Sequence, residues 1–204
     1  MQNKKGLLLI IWYIPIVGHP SAGKSSLIRI LTGGKKVAVG KKSGTTKKII
    51  PIQVSENLTI LDFPGYGKVT HRSKSFAEYL QQTTVDYLEE IKPKILVGIV
   101  ITDLSNIEMM ASKFDNKGFI PIDFELTEFL FELSNKNVIV LGNKIDKLHN
   151  DTDYDKYVSF LPKEIVFFPV SLKHKSGLDS FLIYLQMLCD EIFDELHSYF
   201  WKYT

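Results

Sequence analysis

The chain has 204 residues, 45% hydrophobic and 24% charged, with 25 Lys and Arg against 23 Asp and Glu and a formal net charge of +2. These ordinary globular values exclude a disordered chain, a collagen-like fibre and a long coiled coil, and they set an expectation of one domain over residues 1–204. The single cysteine, Cys189, excludes an internal disulfide and a paired-cysteine zinc cluster, and its apolar helical surroundings make it a packing residue.

Lys4 and Lys5 precede an apolar run over residues 7–17 that opens like an export signal. The run is too short to span a bilayer as a helix. Its Ile10, Ile11, Trp12, Tyr13 and Ile14, together with Pro15, suit a buried strand. Cleavage there would destroy the motif that follows, so a cytoplasmic protein without a membrane span is expected. A helix begins near Lys24, takes its apolar face from Leu27, Ile28, Ile30 and Leu31, and stops at Gly33-Gly34. Residues 35–48 have no apolar period and read as a loop. Residues 49–54 and 58–61 read as strands, joined through Ser55-Glu56-Asn57 closely enough to be antiparallel. A polar loop over 63–75 leads to a helix over about 75–91, ending before Pro93. The continuous apolar run 95–101 predicts a strand covered on both faces. Residues 103–122 are irregular; 123–133 predict a short helix, 138–141 and 165–170 two strands, and 177–199 a last helix. Strands alternating with helices give an α/β fold with a mostly parallel sheet.

Three motifs sit at strand ends. The run Gly18-His19-Pro20-Ser21-Ala22-Gly23-Lys24-Ser25 fits the Walker A pattern. Glycines let the backbone wrap a phosphate, and the helix that follows turns its positive end to the same anion. Lys24 is expected on the β- and γ-phosphates, Ser25 on Mg²⁺, and Ser26 beside it in the same cradle. Asn143-Lys144-Ile145-Asp146 fits the N-K-x-D pattern of GTP-binding proteins. The Asp146 carboxylate would accept from guanine N1–H and the 2-amino group, a donor pair that adenine lacks. Asn143 would bridge to the base and tie the loops together, and the aliphatic stem of Lys144 would cover the face of the base. Asp146 therefore argues against a P-loop ATPase or kinase. Ser171-Leu172-Lys173 is similar to an S-A-K box, whose backbone N–H groups contact guanine O6, with Leu172 in place of Ala.

Two switch segments complete the pattern. Asp62-Phe63-Pro64-Gly65 fits D-x-x-G, in which the Asp holds Mg²⁺ through water and the Gly N–H senses the γ-phosphate. Ser43-Gly44-Thr45-Thr46 offers two threonines, either of which would complete the Mg²⁺ shell when the γ-phosphate is present. Lys24, Thr46 and Gly65 form the expected catalytic set. Tyr66 stands where Ras-like enzymes carry the Gln that orients the attacking water, so slow intrinsic hydrolysis is expected, or a binding module with negligible turnover.

The five boxes occur in the order of a translation-factor-like small GTPase, and Asp62-Phe63-Pro64-Gly65-Tyr66-Gly67 resembles the D-L-P-G-Y-G of the EngB family of ribosome-associated GTP-binding proteins. Ser43-Gly44-Thr45-Thr46 looks like that family's P-G-x-T box, which makes Thr46 the metal ligand. The stretch from Gly118 to Phe124 is similar to archaeal members. The resemblance covers residues 12–188. It implies a Ras-like P-loop GTPase fold, a six-stranded mostly parallel sheet with the second strand antiparallel and helices on both faces. It also implies GTP/GDP and Mg²⁺ as cofactors, a role in large ribosomal subunit assembly, and the family's link to cell division and septation. Ser43, the Ser21-Ala22 pair and Leu172 depart from the family pattern. Potassium-activated relatives carry an Asn at position 21, so the resemblance does not carry potassium activation over.

Residues 35–48 hold six lysines and no acid, and Lys68, Arg72 and Lys74 add to them, whereas Asp190, Glu191, Asp194 and Glu195 make the last helix acidic. The lysines form either a solvated loop or a contact for RNA phosphates, and the resemblance favours the second. The expected partners are a guanine nucleotide and ribosomal RNA or the large ribosomal subunit, with the protein itself a monomer.

Overall fold

The computed structural model describes residues 10–34, 49–64, 82–107, 122–148 and 154–191. The lysine-rich stretch with Gly44, Thr45 and Thr46 lies outside the described residues. So do Gly65, Tyr66, the first part of the helix expected over 75–91, most of the archaeal-like stretch and the end of the last helix.

Six strands form one sheet: β1 (Trp12–Gly18), β2 (Ile50–Gln53), β3 (Leu58–Asp62), β4 (Gly98–Asp103), β5 (Val138–Asn143) and β6 (Val166–Val170). Their order is β2-β3-β1-β4-β5-β6, with β2 antiparallel to β3 and every other pairing parallel. Period-2 alternation sorts each strand's apolar side chains onto two faces. Ile14, Ile16, Ile60, Ile99, Ile101, Ile139 and Leu141 pack with Leu27 and Leu31 of α1 (Lys24–Leu31) and with Phe181 and Leu185 of the final helix, Leu178–Asp190. Val17, Leu61, Val100 and Val140 pack on the other face. There they meet α2 (Gln82–Ile91) and α3 (Ile122–Leu133) through Leu88, Leu126 and Leu130, and the five-residue α4 (Asp155–Ser159) through Tyr157. The final helix is α5. Among the described residues no helix is long and apolar enough to cross a membrane.

Helix α1 ends as its sequence requires. Thr32 Oγ1 donates back to the Ile28 carbonyl at 2.7 Å, and the Gly33 and Gly34 amides close on Ile30 and Arg29. Cys189 is fully buried, and burial pushes its thiol up to about 12. It is a packing residue, as its neighbours in sequence suggest.

The fourth strand begins at Gly98, not at residue 95, and Pro15 explains the difference. The Leu96 amide donates to the Tyr13 carbonyl, so the odd residues of β1 turn their backbone groups toward β4. Two residues on, Pro15 has no N–H to return to the Leu96 carbonyl, which takes instead a long 3.5 Å contact from Asn137 Nδ2. Tyr13 faces Ile95 and Ile16 faces Ile99, so three steps on β1 match four on β4. That is a one-residue bulge, and the ladder resumes only past it.

Candidate functional site

Chain order reverses at β1, which has β3 on one side and β4 on the other. In an open α/β sheet this switch point leaves a crevice outside the carboxyl ends of the strands. The loops after β1, β3, β5 and β6 all open there, and they carry the sequence motifs.

The loop after β1 is a cradle built from backbone. Gly23 has φ +124°, and a Cβ on it would lie 2.4 Å from Asn143 Nδ2, so only glycine fits. Ser21 takes a left-handed conformation at φ 69°. Gly23 is also the N-cap of α1 and brings no side chain to it. The first-turn amides at Lys24 and Ser25 therefore face the crevice with no acceptor of their own helix. These are the donors and the dipole that an anion needs. Lys24 Nζ donates to the Gly18 carbonyl at 2.8 Å and to the His19 carbonyl at 3.2 Å, folded over the loop. Burial lowers the Lys24 pKa, with Asp62 and then Asp123 opposing it. Asp62 ends β3 half-buried; burial raises its carboxyl and Lys24 opposes that. Phe63 and Pro64 are buried beside it.

The loops after β5 and β6 are joined by side chains. Asn143 is buried; its Nδ2 donates to the Ala22 carbonyl at 2.7 Å, and its Oδ1 accepts the Leu172 N–H at 3.0 Å. One amide thus ties the phosphate loop to both other loops, as the sequence suggests. It also takes the backbone donor of Leu172 that an S-A-K box would offer to guanine O6. The Leu172 side chain is buried in the core and would touch any Cβ at position 23, so the Leu-for-Ala departure is a packing change. Ser171 Oγ donates to Asp146 Oδ1 at 2.6 Å and accepts the His174 amide at 3.3 Å. The Ser171 bond, chiefly, holds the Asp146 carboxyl below the usual carboxylate range, against a smaller effect of burial. Lys144 is left-handed at φ 72°, and its ammonium pairs with Asp103. Ile145 is half-buried and Lys173 exposed at the rim.

The structure therefore brings together residues 18–26, Asp62, Phe63 and Pro64, residues 143–146 and residues 171–173. The remaining expected site residues lie outside the described ones.

Sequence reasoning missed three acids or bases at this rim. His174 Nε2 stands 3.8 Å from Asp146 Oδ2. Asp123 is fully buried under the crevice, accepts from Thr102 Oγ1 at 2.5 Å, and is raised by burial. Its Oδ1 and the nearby Tyr157 hydroxyl have no hydrogen-bond partner among the described residues. Asp103 is the third; an acid at a strand end with a Ser two residues on was the signal available for it.

A family model described as a 50S ribosome-binding GTPase matches residues 13–144. The chain is 34% identical to a probable GTP-binding protein EngB of Methanopyrus kandleri over 85% of its length and 90% of that protein's. It is 33% identical to a probable EngB of Pyrococcus abyssi over 87% and 85%. A crystal structure of a probable EngB superposes with a TM-score of 0.67 at 30% identity, covering 88% of this chain and 99% of that one. Era in complex with MgGDPNP and a 16S ribosomal RNA fragment shares the fold at 23% identity and a TM-score of 0.53, covering 87% and 56%. The phosphate cradle and the matched family agree, and the chain belongs to the EngB family of GTP-binding proteins, GTPases that bind GTP and GDP with Mg²⁺.

Proposed function

We propose that this chain is a guanine-nucleotide switch that acts in assembly of the large ribosomal subunit, as a single cytoplasmic domain and a monomer. The observation that carries the nucleotide reading is the Asn143 amide, which holds the phosphate loop and the base-side loops in one piece. Residues 18–26 take the phosphates, with Lys24 leaving its two carbonyls for the β- and γ-oxygens. Mg²⁺, when bound, neutralises phosphate charge. Ser25 and Thr46 hold it directly and Asp62 through water. Asp146, kept ionised by Ser171, takes the guanine N1–H and 2-amino group. Lys144 lies along the base, and Ser171, Leu172 and Lys173 close its far edge. Gly65 and Thr46 sense the γ-phosphate. The β1 strand supports the cytoplasmic reading, because residues 12–17 of the signal-like apolar run belong to the sheet and lead directly into the phosphate loop.

The ribosomal part rests on the description of the matched family and on the lysines of residues 35–48. The link to cell division and septation rests on the family resemblance alone. Cosedimentation with large ribosomal subunits, in GDP and in a non-hydrolysable GTP analogue across a salt series, tests the ribosomal part. Binding should favour the GTP analogue and weaken steeply with salt. Replacing Lys41, Lys42, Lys47 and Lys48 by Gln should flatten the log–log salt slope by about 3. Equal binding in both nucleotides removes the switch. Tyr66 favours a second reading, a GTP-dependent ribosome-binding module with negligible turnover. Single-turnover hydrolysis with and without subunits separates the two.

A further inference from the structure

Asp103 ends β4 directly opposite Asn143 in the sheet register, one residue from Lys144, and no role above uses it. Its two carboxylate oxygens are divided between two tasks. Oδ1 accepts the Ser105 amide at 3.1 Å and the Ser105 hydroxyl at 2.6 Å, in the 3₁₀ turn Leu104–Asn106 that Asp103 caps. That fixes the carboxylate, and Oδ2 is left to accept the Lys144 ammonium. Lys144 reaches it because its backbone is left-handed, a conformation unfavourable for a residue with a Cβ. Such an outlier persists where its surroundings impose it. The side chains of both partners are largely shielded, 23% exposed for Lys144 and 13% for Asp103. The four-carbon stem of Lys144 is thus stretched between its own Cα and an anchored anion. An unpaired lysine would sample many rotamers and offer a base no fixed surface.

We propose that Asp103 is a positioning residue of the nucleotide site, holding the Lys144 stem as a rail against the face of guanine and so contributing affinity for the base and none for the γ-phosphate. The proposal rests on the placement of the base along Lys144 made above. Among the described residues, neither Asp103 nor Lys144 pairs with residues 18–26.

The test is equilibrium titration of the full chain with fluorescent GDP and GTP, with and without Mg²⁺, alongside steady-state turnover. Asp103→Asn keeps the shape and the Ser105 contacts but removes the charge. It should weaken both nucleotides about five- to tenfold and by the same factor, with or without Mg²⁺, while kcat at saturating GTP stays unchanged. Asp103→Glu should recover part of the loss, and it serves as the variant if Asp103→Asn does not fold. Lys144→Met should cost about the same, and the double variant no more than Lys144→Met alone. Multiplying losses in the double variant, or wild-type affinity in Asp103→Asn beside a weakened Lys144→Met, would overturn the positioning role. Wild-type affinity in Lys144→Met would overturn the placement of the base itself.

Discussion

At the base end of the crevice, Asn143 is bonded to the Leu172 amide and the Ala22 carbonyl, and beside it Ser171 is bonded to Asp146. At the phosphate end, the Lys24 ammonium is bonded to the carbonyls of its own loop, Gly18 and His19. On the proposed reading the first arrangement is formed before the nucleotide arrives, so a base that enters it would order little. The second is an exchange: phosphate gains Lys24 only by taking it from two carbonyls, and charge-assisted bonds make that exchange favourable. Specificity is stored in a rigid network and affinity in a movable cation.

The largest effect that would sharpen this comparison comes from the movable end. Lys24→Ala should weaken GDP and GTP by about a hundredfold or more, since a charged donor to phosphate is lost with no substitute. Its melting temperature should also fall by a few degrees, because the carbonyl of buried Gly18 loses its donor. Next comes Asn143→Ala, which strikes the rigid end. It strands a buried carbonyl and a buried amide, about 1–3 kcal/mol each. Affinity should fall about thirtyfold and the melting temperature by about 4–24 °C. A variant that loses affinity without losing stability would break the comparison, because the network would then be assembled by the nucleotide and not before it. Asp146→Asn should cost at least about tenfold in GTP and gain xanthosine triphosphate, whose extra carbonyl suits an amide donor. Unchanged GTP affinity would mean that Asp146 does not read the base. Ser25→Ala should lose severalfold in Mg²⁺ and almost nothing in EDTA; equal loss in both would refute its metal role. The smallest effect belongs to Leu172→Ala, within about threefold in affinity, because position 172 serves Asn143 through its backbone. Its stability should nonetheless fall by about 2–4 kcal/mol in chemical denaturation, from the cavity left against α1 and α5.

The sheet and the three described motifs were legible because each is local. Periodicity marks a strand, and a glycine or acid at a strand end marks a loop with a task. What escaped was set by partners distant in sequence. Helix α4 is five residues long and buries Tyr157 against the sheet, too short for any apolar period to show. The start of β4 depended on Pro15, some eighty residues earlier and on a different strand. Asp103 opened an irregular stretch and Asp123 a short helix, with no task read for either, yet one accepts from Ser105 and Lys144 and the other is fully buried against Thr102. Charge pairing across strands leaves no period to read.

The Asn143 tie also fixes when in folding the site can exist. Its two bonds span 121 and 29 residues; the first waits until β1 and β5 are joined through β4, and the second until β6 pairs with β5. Closing loops of that length is an entropic cost met before the contact returns anything. A nucleotide that needs the closed constellation is expected to bind after the folding transition state. It slows unfolding and leaves the rate of folding alone. For this chain, GDP is expected to act as a brake on opening, so that its protection would measure kinetic persistence as much as equilibrium stability.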